Sequence, residues 1–406
     1  MTTTPIQDPG RENPTRGQSN RKLVILYSIS VFFYWISMYI YMPTLPIYIQ
    51  GIAGNLVIVG TILSMYGLWQ GLIRLPMGIG SDWLGKYKPF IITGYIFSAA
   101  GALLMGNAEN SFMLLVGRSF TGVAAATWVP LVVAFSNLFP PAQAVQATAL
   151  LTAINSTGRV LATASTGTLN QIGGYQLAFN LAIVSAGAAL LAVLLIKEPK
   201  RARMKISLGG LKILANRYDV MLPSILDAVT QLMIWAGPYS FFPIVARNLG
   251  ASEVMISMLV SMYLMVFMIG NFSVSFIVKK VKPVVFTFIG FILLALSLII
   301  ASQAKTFAII FVAQLIAGLA SGLTYPTLMG MSIEHVQNYE RSTAMGLHQT
   351  IYSIGMFMGP WLGGILAASL GMETMFIIFA FFCGISGMLG TYWLALKQKR
   401  DPSLSL

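Results

Sequence analysis

The stretch Gly117-Arg118-Ser119-Phe120-Thr121-Gly122-Val123-Ala124-Ala125-Ala126-Thr127-Trp128-Val129-Pro130 sets a single cation among small and apolar residues. Far downstream, Gly318-Leu319-Ala320-Ser321-Gly322-Leu323-Thr324-Tyr325-Pro326 repeats its outline, with a glycine and a proline again eight residues apart. Around both lie apolar blocks of roughly 20 residues, the length at which a helix crosses a hydrocarbon layer. Twelve are read, at about 23–45, 56–80, 89–106, 111–134, 145–169, 175–196, 219–244, 254–277, 283–303, 307–331, 343–368 and 372–395. The 406 residues are 56% hydrophobic and 9% charged, against roughly 25% charged in soluble domains. So little charge cannot cover a water-soluble surface, and an all-α membrane protein is expected.

The echo extends along the chain. Trp35, Tyr39 and Pro43 answer Trp235, Tyr239 and Pro243; Ser64-Met65-Tyr66 answers Ser261-Met262-Tyr263. Lys86, Lys88 and Pro89 answer Lys280, Lys282 and Pro283, while Gly158, Gly167 and Gly174 answer Gly355, Gly364 and Gly371. The offset stays between 194 and 200 residues throughout, which marks a duplication. Twelve transmembrane helices in two pseudo-symmetric six-helix bundles follow, over 23–196 and 218–397. Tails at 1–22 and 398–406 flank them. The basic linker at 197–217 reads as a short amphipathic surface helix or as a flexible tether. A doubled set of membrane helices with charges buried in it is the outline of a secondary transporter.

The net charge of +13 reflects topology rather than nucleic-acid binding. Twenty lysines and arginines fall in the tails, the linker and the loops on one side; the other side has only Arg247 and Lys305. By the positive-inside rule both termini are cytoplasmic, in a multi-pass protein of the plasma membrane. The polar N-terminus lacks a signal-peptide shape, so the first span is expected to be retained. One cysteine, Cys383, excludes a disulfide framework, and His335 and His348 are too few and isolated for a metal centre. The residues offer little for catalysis, so neither an enzyme nor a cofactor is expected. Membrane lipid and a small-molecule substrate are the expected partners, with the protein a monomer.

Gly78-Ile79-Gly80-Ser81-Asp82-Trp83-Leu84-Gly85-Lys86-Tyr87-Lys88 resembles the loop 2–3 signature of the major facilitator superfamily, although Trp83 and Tyr87 stand where cations are usual. Arg118-Ser119-Phe120-Thr121-Gly122 is similar to the span-four motif of that family. Gly355-Met356-Phe357-Met358-Gly359-Pro360-Trp361-Leu362-Gly363-Gly364 resembles the Gly-Pro pattern of its drug/proton antiporters. That pattern belongs in span five, where this chain has Gly158-Arg159-Val160-Leu161-Ala162-Thr163 and no proline. The resemblance implies alternating access between two bundles, with spans one, four, seven and ten around a central cavity. It implies that Asp82, with Gly78, Gly85, Lys86 and Lys88, latches the cytoplasmic mouth against span eleven in the outward-facing state. The residues alone also allow a plain turn with solvated charges. Gly355, Gly359 and Gly363 recur every fourth residue, with Gly364 beside them; these and Gly122 in span four suit close helix packing, or, with Pro360, a bend that serves alternating access or seals against ion leak.

Four charges stand inside spans, each costing at least about 2.5–3.5 kcal/mol if isolated: Arg74, Arg118, Arg159 and Asp227. Asp227, the sole carboxylate deep in a span, heads a stripe through Gln231, Trp235, Tyr239 and Pro243. It is read as a proton carrier, as half of a static pair with an arginine, or as a snorkelling residue. Family resemblance links Arg118 to proton transfer, so Arg118 joins Asp227 as a coupling candidate. Arg159 suits anion binding or support of Asn155 and nearby carbonyls; Arg74 suits snorkelling. Trp35/Tyr39 and Trp235/Tyr239, with Gln231, are cavity candidates or an interfacial aromatic belt. The expected function is proton-coupled export of small hydrophobic compounds, neutral or anionic. The alternatives are an uptake permease for an organic anion and, remotely, a non-transporting receptor.

Overall fold

The computed structural model describes residues 14–140, 143–198, 208–277, 280–337 and 340–400. Residues 1–13, linker residues 199–207, Lys279 and the tail from 401 lie outside the described residues. The helices are α1 (Pro14–Tyr39), α2 (Leu45–Ala53), α3 (Leu56–Leu84), α4 (Lys88–Gly106), α5 (Ser111–Ala126), α6 (Trp128–Ser136), α7 (Ala144–Leu194), α8 (Leu208–Ala215), α9 (Tyr218–Ala236), α10 (Phe242–Asn248), α11 (Glu253–Ile277), α12 (Pro283–Ser302), α13 (Phe307–Ile333), α14 (Arg341–Leu370) and α15 (Met372–Arg400). Among the described residues there is no strand.

Among the described residues eleven helical stretches are long and apolar enough to cross a membrane, and one of them is two spans. Within α7, Gly173 (φ −138°) and Gly174 (φ 65°) leave helical geometry, dividing it into the predicted fifth and sixth spans. Gly174 occupies the left-handed region that a side chain makes costly. Its counterpart in the other half, Gly371, has φ 85° and ends α14. Among the described residues twelve membrane helices result, and the even number puts Pro14 and Arg400 at one end of the molecule. Apolar side chains such as Leu72, Phe112, Phe276 and Phe381 are exposed on the outer face, as lipid requires.

Three spans differ from the uninterrupted helices expected of them. The first stops at Tyr39 and resumes as α2 beyond a turn containing Pro43. The fourth breaks at Thr127, since Pro130 has no N–H to offer the preceding turn. The seventh widens into a π-helical segment, Gly237–Phe241, which contains Pro238. The first and seventh spans are therefore both irregular beside their paired tyrosines, Tyr39 and Tyr239.

The duplication recurs in the packing. A methyl on Gly122 would stand 2.7 Å from the Tyr66 carbonyl oxygen, and one on Gly318 stands 2.7 Å from that of Tyr263. Gly158 of α7 packs on the Phe32 carbonyl of α1 as Gly355 of α14 packs on the Ala228 carbonyl of α9. Gly167 meets α11 at Glu253, while Gly364 meets α3 at Leu56 and Gly60. Each half thus contributes one glycine-bearing helix, α7 or α14, that packs both within its half and against the other. Without a Cβ at these points the helices approach to backbone contact, where dispersion and interhelical polar contacts replace the hydrophobic drive that lipid cannot supply.

Candidate functional site

Between the halves lies a cluster of aromatic rings around two cations. Trp35 packs on Tyr39 (5.6 Å between ring centroids) and edge-on to Trp128 (5.5 Å). From the other half Trp235 stacks on Tyr66 (5.0 Å) and contacts Tyr239 (5.0 Å), which meets Tyr263 edge-on. Arg159 joins the two sets. Its guanidinium lies 4.3 Å from the Tyr39 ring centre and 5.7 Å from that of Trp35, and Nη2 donates to the Tyr239 hydroxyl at 3.1 Å. Arg118, buried, lies 4.5 Å over Tyr66 and points Nη2 at the sulfur of Met42. Rings offer a cation their negative faces, but no ring cancels its charge. Among the described residues no carboxylate lies within ion-pair distance of Arg74, Arg118 or Arg159.

Trp35, Tyr39, Trp235 and Tyr239 are all buried, so these four side chains face the interface between the halves and form no belt at the membrane surface. Arg74 does not snorkel: it is buried and donates from Nη1 to the Tyr352 hydroxyl at 2.7 Å. Arg159 does not support Asn155, whose Oδ1 has no hydrogen-bond partner among the described residues.

Asp227 pairs with no arginine. Its partner is His348 of α14: Oδ2 and Nε2 are 3.0 Å apart, and both side chains are 0% exposed. Thr230 (2.8 Å) and Gln231 (3.3 Å) hydrogen-bond Oδ1. On the far side of the imidazole, Nδ1 lies 3.0 Å from Ser224 Oγ. That hydroxyl donates to the Val220 carbonyl at 2.6 Å, so it accepts from His348 Nδ1–H. With Nδ1 thus protonated, the Asp227–His348 contact needs one further proton, on Nε2 or on the carboxyl. The pair is electrically neutral overall with that proton in either place, and carries an uncompensated negative charge without it.

One turn along α14 from His348 stands Tyr352, the acceptor for Arg74 of α3 in the other half; its ring meets the imidazole edge-on at 5.9 Å. The buried pair therefore borders a contact between the halves. Arg118 is not joined to Asp227 by any hydrogen bond or ion pair among the described residues; its contacts are with Tyr66 and Met42.

At the end of the molecule away from the termini, Glu253 draws the halves together. It accepts from Asn170 (3.1 Å) and Tyr175 (3.0 Å) of the N-terminal half and pairs with Arg247 of its own. At the end bearing the termini, the Asp82 carboxylate accepts from Tyr87 at 3.1 Å, and Gly85 closes α3 in the left-handed region. Lys88 Nζ donates to the Leu194 and Ile196 carbonyls, while Glu198 accepts from the Tyr87 and Lys88 backbone. Asp82, Lys88 and Glu198 thus bond within the N-terminal half, with no hydrogen bond to α14 among the described residues.

Sequence reading missed His348 as a partner of Asp227, although a signal existed. Gly355 and Gly359 mark the face of α14 that meets α9, and His348 lies seven residues, two turns, before Gly355 on that face. Glu253 and Asn170 carried no such signal, since a polar residue beside a predicted loop is ordinary.

The Major Facilitator Superfamily model matches residues 27–217 and 224–405. An uncharacterised transporter of this type from Methanocaldococcus jannaschii is 22% identical over 89% of this chain and 97% of its own. The quinolone resistance protein NorA of Staphylococcus aureus is 21% identical over 86% of this chain and 90% of its own. Among solved structures, a bacterial homologue of the human lysosomal transporter Spinster, inward-facing and occupied, aligns with a TM-score of 0.74 at 16% identity, covering 95% of this chain and 98% of the other. By motif, fold and family match, the chain belongs to the major facilitator superfamily of membrane transporters, which are not enzymes.

Proposed function

We propose that this transporter is a proton-coupled exporter of small hydrophobic compounds, neutral or anionic, working as a monomer by alternating access. The observation that supports it most directly is the fully buried Asp227–His348 pair. A carboxylate sealed in an apolar interior is tolerable when a proton or a cation accompanies it. Loss of the shared proton leaves a net charge inside the protein, and the resulting strain falls beside the Arg74–Tyr352 contact between the halves. Protonation and the relative position of the halves are thereby linked. The excess of lysine and arginine at the terminal end supports a cytoplasmic placement for it in the plasma membrane. On that placement the Glu253 cluster closes the external side, and Asp82 is free to latch the cytoplasmic mouth when the halves rock the other way. Export is favoured by the quinolone resistance relative.

The test is proton movement in proteoliposomes on addition of lipophilic neutral and anionic compounds. Wild type is expected to show compound-driven proton flux, and Asp227→Asn and His348→Gln to lose it while retaining their fold. Proton dependence unchanged in both variants would make the pair structural. A second reading, an uptake permease for an organic anion, draws on the three intramembrane arginines, Arg74, Arg118 and Arg159, which have no carboxylate partner among the described residues. Accumulation of an anion inside right-side-out vesicles would select it.

A further inference from the structure

We propose that Arg159 and Trp35 form a carboxylate-binding subsite for organic anions with a flat apolar body. The inference rests on the carrier reading above and names the substrate class. Arg159 uses Nη2 on Tyr239, yet its buried Nε–H has no hydrogen-bond partner among the described residues. The same is true of Trp35 Nε1–H, on a side chain only 7% exposed. Two buried N–H donors on adjacent side chains with no protein acceptor are costly unless a ligand or water accepts from them. The Arg159 guanidinium is 5.7 Å from the Trp35 ring centre, so the two donors belong to neighbouring side chains, and in the proposed complex one carboxylate accepts from each.

The charge balance selects an anion. Arg159 has rings and one phenol around it and, among the described residues, no carboxylate within ion-pair distance. Arg118 adds a second uncompensated cation over Tyr66, which stacks on Trp235 in the same aromatic cluster. A substrate carboxylate makes charge-assisted hydrogen bonds here and relieves a buried positive charge; an ammonium group meets repulsion. Tyr39, Trp235 and Tyr239 surround the two donors with aromatic rings, among which a flat apolar body would sit. The Arg159 side chain is partly exposed while its Nε is buried, so a ligand reaches that donor as the halves part. It also bridges α7 to Tyr239 of the other half, so a ligand on its Nε sits where the halves meet.

The test is equilibrium binding to the full chain in lipid nanodiscs at pH 7, by calorimetry, with 2-naphthoate, 2-naphthamide and 2-naphthylmethylammonium. These share a ring system and differ in charge. Wild type is expected to prefer the carboxylate over the amide by about tenfold or more, the scale of a charged hydrogen-bonded pair, and to bind the ammonium compound weakest. Arg159→Gln removes the preference, Arg159→Lys keeps part of it, and Trp35→Phe reduces it. Equal binding of amide and carboxylate by wild type overturns the subsite. So does preference for the ammonium compound, absence of carboxylate binding, or a carboxylate preference that survives both Arg159→Gln and Trp35→Phe. The wild-type comparison decides the matter even where a variant fails to fold. Proton flux driven by neutral compounds would leave the carrier reading intact after the subsite failed. Carboxylate binding with no flux for any compound would do the reverse.

Discussion

His348 illustrates what one side chain contributes when its partner is a buried acid. Removing one member of a buried charged pair leaves the other without compensation, at about 3–5 kcal/mol. His348→Ala is therefore expected to lower thermal stability in nanodiscs strongly. The double variant Asp227→Asn/His348→Ala is expected to recover part of the loss, because no charge remains to be desolvated. Additive losses in the double variant would show that the two side chains do not interact. Ser224→Ala, which removes the acceptor for His348 Nδ1, is expected to cost about 1–3 kcal/mol, the penalty for a buried donor left unsatisfied.

At the scale of elements, α14 decides how the molecule holds together. It lies between α9, which it meets at Gly355 and Gly359, and α3, which it meets at Gly364. The atoms facing Gly355 and Gly359 are backbone atoms of α9, the Ala228 and Leu232 carbonyl oxygens nearest, and cannot turn aside. Gly355→Ala and Gly359→Ala are each expected to destabilise by about 1–3 kcal/mol through overpacking. Gly187→Ala in α7, where an added methyl meets nothing within 4 Å, is the contrast. It is expected to be neutral or to stabilise by up to about 1 kcal/mol through helix propensity. Melting temperatures of the three variants in one lipid system test the ranking. A loss at Gly187 equal to that at Gly355 would remove close approach as the explanation.

For the whole molecule, the question is which end is closed. The Glu253 cluster ties the halves at the end away from the termini, and Ser257 lies one turn deeper, 1% exposed. Cys383 is buried, so an introduced thiol can be labelled against a low background. Ser257→Cys is expected to react slowly with a membrane-impermeant maleimide, and several times faster when Glu253→Gln is added. An unchanged rate would show that the carboxylate does not hold this end shut. Tyr352→Phe keeps the ring and removes only the acceptor for Arg74. It is expected to preserve substrate binding and slow substrate-driven proton flux, which binding and flux assays on one preparation separate.

Much of this was legible along the chain because bilayers impose periodic, one-dimensional constraints. Span length, charge sidedness and the repeat of Gly122 and Pro130 at Gly318 and Pro326 are local patterns, and they suffice for twelve helices in two related bundles. The intramembrane charges were legible for the same reason: Arg74, Arg118, Arg159 and Asp227 violate the composition around them. Their partners were not. Sequence places Asp227 and His348 on helices 121 residues apart, and only packing at Gly355 and Gly359 brings them to 3.0 Å. The bonding of Asp82 within its own half and the closure at Glu253 likewise depend on how the two bundles sit against each other. A side chain declares its cost in the membrane through the sequence around it, but what compensates that cost is fixed only when distant helices meet.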